Sequence, residues 1–295
     1  MRNAFIQELV TLARQHSQIA LIVGDLGYSV IEPFADEFPN RFINAGVAEQ
    51  NMTGLAAGMA SEGYHVFTYS IANFPTFRCA EQVRNDVAHH KLPVTIVSVG
   101  GGLAYGSLGY SHHAVQDYAL MRTLPNMLIA APGDPMEVRA CMRYLVLNPG
   151  PSYLRLGKAG EPTFHSHQPE IIPGHWLKVH EGVEEDRRAF LSTGAGLQIA
   201  MDWVQRNEFN NWYIYTMPLW SMADKILQAN TLQSFNEIIT IEDHLQDGGF
   251  GSWLLEAKAI NKNVYCDIRN VALNQIVCET VGSQDMLNKL GGLYG

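Results

Sequence analysis

Short apolar runs rich in β-branched residues alternate along this chain with stretches of helical periodicity, and few folds accommodate that alternation. Ile19–Val23, Tyr64–Tyr69, Val94–Val99, Met127–Ala130 and Ser152–Leu156 have the length and composition of buried strands. Between them, Ala48–Ser61, Thr76–His89 and Pro135–Leu147 carry apolar residues at helical spacing. Strands separated by helices of this length predict crossover units, and hence a parallel sheet covered on both faces. Residues 159–186 break the pattern with Pro162, Pro169, Pro173, four histidines and many charges, the composition of a surface connection. The alternation then resumes with strands at Ala189–Leu191, Trp212–Tyr215, Glu237–Ile241 and near Asn263–Ile268, and helices at Gly196–Gln205 and Ser252–Ile260. The expected fold is α/β: two doubly wound domains with mostly parallel sheets, residues 1–158 and 187–295, joined by a linker over 159–186.

Composition narrows the partners. With Lys+Arg 20 against Asp+Glu 29 the net charge is −9, and no basic block offers a footprint for nucleic acid or an anionic membrane. No apolar run reaches the roughly 18 residues of a membrane span, and the N-terminus has no signal-peptide core. Cys79, Cys141, Cys266 and Cys278 stand far apart with no C-x-x-C pair, so buried free thiols in the cytoplasm are expected. Small anionic substrates stay open, because a few placed arginines serve them whatever the total charge.

Three segments carry candidate chemistry. In Gly46–Ala60, Met52, Leu55, Ala56 and Met59 follow helical spacing, and Glu49 in the first turn points toward the same stripe. An acid at a helix N-terminus is commonly just a favourable partner of the helix dipole. A carboxylate facing an apolar stripe, however, requires a partner. In Val99–His113 a strand runs into a glycine-rich loop that matches neither a dinucleotide fingerprint nor a phosphate loop. Its glycines permit close backbone approach, and the adjacent His112 and His113 point apart, against a joint metal site. In Tyr153–Lys158, Arg155 suits either a surface ion pair or bidentate capture of a phosphate-like anion.

The segment Gly46-Val47-Ala48-Glu49-Gln50-Asn51-Met52-Thr53-Gly54-Leu55-Ala56-Ala57-Gly58-Met59-Ala60 resembles the pyrimidine-binding signature of the transketolase family, G-I/V-x-E-x-x-A/M-x-x-x-A-x-G-x-A. The resemblance implies that Glu49 hydrogen-bonds the aminopyrimidine of thiamine diphosphate and favours the imino tautomer that removes the thiazolium proton. It extends along the whole chain. Asp25, after the first strand, matches an acid facing the cofactor site. Ser70–Phe77 resembles the family's aromatic stretch, with Phe74 matching the ring that stacks on the pyrimidine and Phe77 a second aromatic nearby. The glycine-rich loop resembles the one ending in G-P-T-H-Q/H, which makes His112 the active-site histidine on donor-sugar oxygens, with His113 beside the substrate. Leu108 stands where full-length relatives carry an acid on a donor hydroxyl, a departure that bears on donor identity. Arg155 matches an arginine on the substrate's terminal phosphate. Glu242-Asp243-His244 and Gly248–Ser252 resemble the family's C-terminal-domain motif, in which His244 is structural.

One family motif is missing. Gly24-Asp25-Leu26 and Gly133-Asp134-Pro135 lack the third residue of the G-D-G…N motif that holds Mg²⁺ and the diphosphate. The expectation is therefore the C-terminal subunit of a split transketolase, carrying no metal site of its own. It would act with an N-terminal subunit that carries the motif, as an α2β2 heterotetramer, to move a two-carbon ketol unit between phosphorylated or similarly anionic sugars. The alternatives are a β-type subunit of a 2-oxo-acid dehydrogenase and a non-catalytic assembly partner.

Overall fold

The computed structural model describes residues 1–183, 185–206 and 208–294. Glu184, within 159–186, and Asn207 and Gly295, within 187–295, lie outside the described residues. The strands of the first half are β1 (Ile19–Val23), β2 (Phe42–Asn44), β3 (His65–Ile71), β4 (Val94–Val99), β5 (Leu128–Ala130) and β6 (Ser152–Leu156). Those of the second are β7 (Leu177–His180), β8 (Arg188–Ser192), β9 (Tyr213–Thr216), β10 (Leu219–Ser221), β11 (Glu237–Leu245) and β12 (Asp267–Leu273).

Two sheets result, ordered β10-β5-β6-β4-β3-β1-β2 and β12-β11-β8-β9-β7. All pairs are parallel except β10 with β5 and β7 with β9. Every residue of β1, β4 and β6 is buried, as a parallel sheet clad on both faces requires. The alternation of side chains across β1 decides which helix covers which face. Ile19, Leu21 and Val23 join Phe5, Leu9, Val138 and Leu145 from the helices Arg2–Gln15 and Pro135–Leu147. Ile22 joins Met52, Ala56 and Ala60 from the helix Glu49–Ser61 on the opposite face.

Local chemistry sets the boundaries. Asp134 caps the helix Pro135–Leu147 by accepting the amides of Met136 and Glu137 at 2.9 and 2.8 Å, with proline at the position that needs no donor. Thr76–His89, expected as one helix, is instead a 3₁₀ turn at Phe77–Cys79, an α turn at Ala80–Gln82 and a π turn at Val83–Ala88. A π turn is wider than an α turn, a local departure that helical periodicity in the sequence does not reveal. In Glu49–Ser61 the buried stripe runs through Glu49, Met52, Thr53, Ala56 and Ala60, whereas Leu55 is exposed.

The halves are less separate than composition suggests. β7 falls inside residues 159–186 and forms an edge of the second sheet; it is too short and too half-buried to print an apolar run. β10, from the C-terminal half, extends the first sheet and brings Trp220 against Tyr118, Phe250 and Trp253. One apolar cluster therefore spans both sheets. Among the described residues no helix is long and apolar enough to cross a membrane, and all four cysteines are free.

Candidate active site

In open parallel sheets the C-terminal ends of neighbouring strands form the usual ligand crevice. Here β2, β1, β3 and β4 lie side by side; β2 and β1 end together, Asn44 beside Val23 and Val23 beside Tyr69, and β3 and β4 end together two residues further on, Ile71 beside Val99. The chain leaving each end carries Glu49, Asp25, Phe74 and the glycine-rich loop to His112, respectively. The fold therefore delivers four sequence-distant candidates to one edge.

Glu49 is the first residue of its helix, and its side chain is 1% exposed. A Cβ at Gly24 would meet Glu49 Cγ at 3.6 Å, so glycine at the end of β1 lets the carboxylate pack close behind the strand. Its partner is Arg78, whose Nη1 donates to Oε2 at 2.6 Å. The Arg78 guanidinium lies 4.7 Å from the centre of the Phe74 ring, and that ring also meets His112 edge-to-face, at 5.3 Å between centroids. Glu49, Arg78, Phe74 and His112 thus form one contiguous row.

The loop bearing His112 is fastened from β3. Asn73 Nδ2 donates to the carbonyls of His113 at 2.8 Å and Ser111 at 3.3 Å. Ser111 Oγ lies 3.0 Å from His112 Nδ1, which leaves Nε2 as the open nitrogen of the ring. Partial burial, reinforced by His113, lowers the pKa of His112 and keeps the ring neutral near pH 7. Asp25 is exposed in the left-handed region at φ 55°, a conformation aspartate tolerates. Its Oδ1 accepts from Asn44 at 2.9 Å, and Asn44 in turn holds the amide of Gly46 at 2.9 Å, so Asp25 braces the turn that leads into Glu49. Phe77 and Leu108 are exposed apolar side chains at 48% and 56%, with no polar role in the row.

Two expectations are corrected. His113 is 1% exposed, and its Nε2 lies 3.1 Å from the Gly106 carbonyl against the Tyr110 ring. As the neighbour of an outward-facing His112 it turns into the loop, away from the open edge of the row. Arg155 is likewise not free for a substrate anion. Its Nε donates to Asp117 at 2.7 Å and its Nη1 to Asp243 at 2.5 Å. Nη2 donates to the carbonyls of Ala114 at 2.8 Å and Asp243 at 3.2 Å, and the guanidinium carbon lies 4.4 Å over the Tyr118 ring. Burial works to lower its pKa, but Asp117 and Asp243 outweigh burial and raise it. Two glycines of the loop serve this buried network. A Cβ at Gly101 would lie 2.7 Å from Arg155 Nε, and Gly102 (φ 63°) closes against Asp243.

The Glu242-Asp243-His244 motif is built into the same join. Glu242 accepts the amides of Phe250 and Gly251 at 2.6 and 2.8 Å at the start of the helix Phe250–Ile260, and burial pushes its carboxyl up to about 8. His244 stacks on Tyr118, and burial holds it down at about 4, neutral. Sequence reasoning missed Arg78, Asn73 and Asp117. The signal for Arg78 was the requirement that a buried Glu49 find a cation. The aromatic run opposite supplies one four residues after Phe74. Among the described residues, no group of three His, Cys, Asp or Glu side chains stands where it could hold a metal ion.

Comparison with known proteins places this architecture. Residues 1–160 match the model of the transketolase pyrimidine binding domain. The chain is 32% identical over 267 residues to a subunit of the apulose-4-phosphate transketolase of Phocaeicola vulgatus, covering 88% of this chain and 84% of that one. It is 30% identical over 302 residues to a putative transketolase C-terminal section of Methanocaldococcus jannaschii, covering 100% and 92%. A solved split-gene transketolase, described as an inactive beta4 tetramer, superposes with a TM-score of 0.84 at 30% identity, covering 99% of this chain and 93% of that one. With its signature glutamate, aromatic and histidine gathered at one sheet edge, the chain belongs to the transketolase family.

Proposed function

We propose that this chain is the pyrimidine-binding and C-terminal subunit of a two-chain transketolase, which uses thiamine diphosphate to transfer a two-carbon ketol unit between phosphorylated or similarly anionic sugars. The observation that carries the reading is the Glu49–Phe74 pair. A buried carboxylate and an aromatic face together hold a flat, charged hydrogen-bond donor, here the Arg78 guanidinium. Those are the two recognition elements an aminopyrimidine needs, so the residues present fit that group. When bound, thiamine diphosphate supplies the carbanion chemistry that breaks and remakes the carbon–carbon bond.

The chain's own residues hold and prepare it. Glu49, 1% exposed, would take a hydrogen bond from a proton-bearing ring nitrogen, Phe74 would stack on the ring, and Asp25 braces the turn from which Glu49 starts. Neutral His112 turns Nε2 to the donor-sugar oxygens and passes protons there. Leu108 offers no acceptor at the mouth, which loosens selectivity for a hydroxyl at that carbon. With Arg155 committed to Asp117 and Asp243, the substrate's terminal anion falls to other cations, from this chain or its partner.

The diphosphate and Mg²⁺ are assigned to an N-terminal partner subunit with the G-D-G…N motif, in an α2β2 assembly. Support comes from two similar chains, one named as a single subunit of a transketolase and the other as a C-terminal section, and from the solved relative described as inactive in a β-only tetramer. The loops after β1 to β4 also expose Tyr28, Val47, Phe77, Leu108 and Tyr110, apolar side chains of the kind a partner covers. Free cysteines, three of them buried, support a cytoplasmic setting. The test is reconstitution. The chain by itself should fold without binding Mg²⁺–thiamine diphosphate tightly or turning over, and mixing with the cognate partner should create both properties. Tight cofactor binding and turnover by the chain alone would overturn the reading.

A further inference from the structure

The row at the sheet edge contains a residue that the family reading does not use. Arg78 reaches in from the surface, its side chain 45% exposed, to a carboxylate that is 1% exposed. It makes two interactions at once, a 2.6 Å ion pair with Glu49 and a stack on Phe74 at 4.7 Å. A guanidinium is flat, delocalised and rich in in-plane N–H donors. A protonated or amino-substituted pyrimidine has the same character. The side chain that touches both recognition elements is therefore a chemical likeness of the ring they would recognise.

Arg78 is also poorly tied to anything else. The ion pair with Glu49 is the only side-chain hydrogen bond of Arg78 among the described residues. Its backbone belongs to the 3₁₀ turn Phe77–Cys79, the first of three short turns rather than part of a continuous helix. The anchors of the segment lie to either side, where Thr76 Oγ1 donates to the Ala72 carbonyl and Cys79 Sγ to the Phe74 carbonyl. The side chain can therefore leave without disturbing Phe74.

We propose that Arg78 is a resident counter-cation, holding the pyrimidine's place against Glu49 and Phe74 in the chain alone and leaving as the cofactor ring arrives. The proposal rests on the cofactor reading above. A buried carboxylate with no partner is costly, so the arrangement keeps Glu49 neutralised before the site is completed. Cofactor loading becomes an exchange, and its apparent affinity is lowered by the work of removing Arg78.

The test uses the complex of this chain with its cognate diphosphate-binding subunit, with thiamine diphosphate and Mg²⁺ titrated by calorimetry and the association rate followed by stopped flow. Arg78→Ala should bind the cofactor about fivefold tighter and faster, the upper end for a pair with one exposed partner. Arg78→Gln, which keeps reach and a donor but not the charge, should fall between. In the chain alone, a thermal-unfolding cycle of Arg78→Ala, Glu49→Gln and the double variant should show coupling between the two residues. Coupling should be absent in the cofactor-loaded complex, and the double variant remains readable if Arg78→Ala alone folds poorly. Unchanged or weaker cofactor binding in Arg78→Ala, with coupling that persists after loading, would overturn the proposal. If instead Glu49→Gln and Phe74→Ala leave cofactor affinity unchanged, it is the cofactor reading itself that fails.

Discussion

Replacing Arg155 with methionine separates the two roles its sequence position suggests. In the structure the guanidinium is the counter-ion of two carboxylates, Asp117 and Asp243, which are buried to within a few per cent. Methionine keeps much of the volume, and Asp117 retains the Tyr153 hydroxyl at 2.5 Å. Asp243 loses the cation on its Oδ1. Breaking a buried pair from one side costs about 3–5 kcal/mol. At roughly 1.5–2 °C per kcal/mol for a chain of this size, the melting temperature should fall by about 5–10 °C. The pH dependence has a definite sign. Burial already raises the Asp243 carboxyl pKa while Arg155 opposes it, and the variant removes the opposition. The folded state then holds that proton more tightly than the unfolded chain does, so stability falls as pH rises and the loss is larger at pH 8 than at pH 5. Thermal and urea unfolding of the chain at both pH values read this directly. A loss below about 1 kcal/mol, the range of an exposed pair, would refute the structural role. A simultaneous selective rise in KM for phosphorylated sugars would then assign Arg155 to the substrate.

Glu49→Gln should leave the fold intact and cost at least about a hundredfold in rate in the assembled enzyme, as expected for a lost acid–base group. Proton exchange at the bound cofactor, followed by NMR, checks it, and exchange at the wild-type rate would leave Glu49 a mere helix-terminus acid. Glu137 tests the linker's anchorage. Burial raises its carboxyl from 4.5 to about 7 beside His165, whose ring, on Asp134, ties residues 164 and 165 to the first domain. The folded state binds that proton more tightly than the unfolded one, so ionisation erodes stability as pH rises from about 4.5 to about 7. Glu137→Gln should flatten that fall in a pH series of melting temperatures, and parallel curves for variant and wild type would contradict it.

What the sequence disclosed divides along physical lines. Buried parallel strands such as β1, β4 and β6 are short runs dominated by apolar and β-branched or aromatic residues, and their limits were legible to the residue. Edge strands were not. β2, β7 and β10 are three or four residues long and gain their pairing from neighbours rather than from their own pattern. The same holds within the site. Glu49, Phe74 and His112 stand in local motifs, which is why the sequence alone offers them as candidates. Arg78 acts through a contact 29 residues away in sequence, and Asp117 and Asp243 meet Arg155 across 38 and 88. Arg155 was misread because an arginine at a strand end looks the same whether its fork meets a substrate or a carboxylate of the next domain.

That misreading leads back to the site, because the buried network and the catalytic loop are mechanically one piece. Arg155 Nη2 holds the carbonyl of Ala114, two residues beyond His112. Asn73 holds the carbonyls of Ser111 and His113 from the other side. His112 thus lies on a short span pinned at both ends, by the residue preceding Phe74 and by the cation that joins the two domains. Asp243, the second carboxylate on that cation, comes from β11, so the C-terminal domain contributes to the position of a histidine it does not touch. Under the proposed role of His112, the domain would take part in catalysis without a residue at the substrate. Asp243→Asn should then displace the His112 ring resonances in NMR spectra of the folded chain, while a distant surface change on β12 should not. Unshifted His112 signals in a destabilised Asp243→Asn chain would separate the domain join from the site and leave Asn73 as the loop's effective tether.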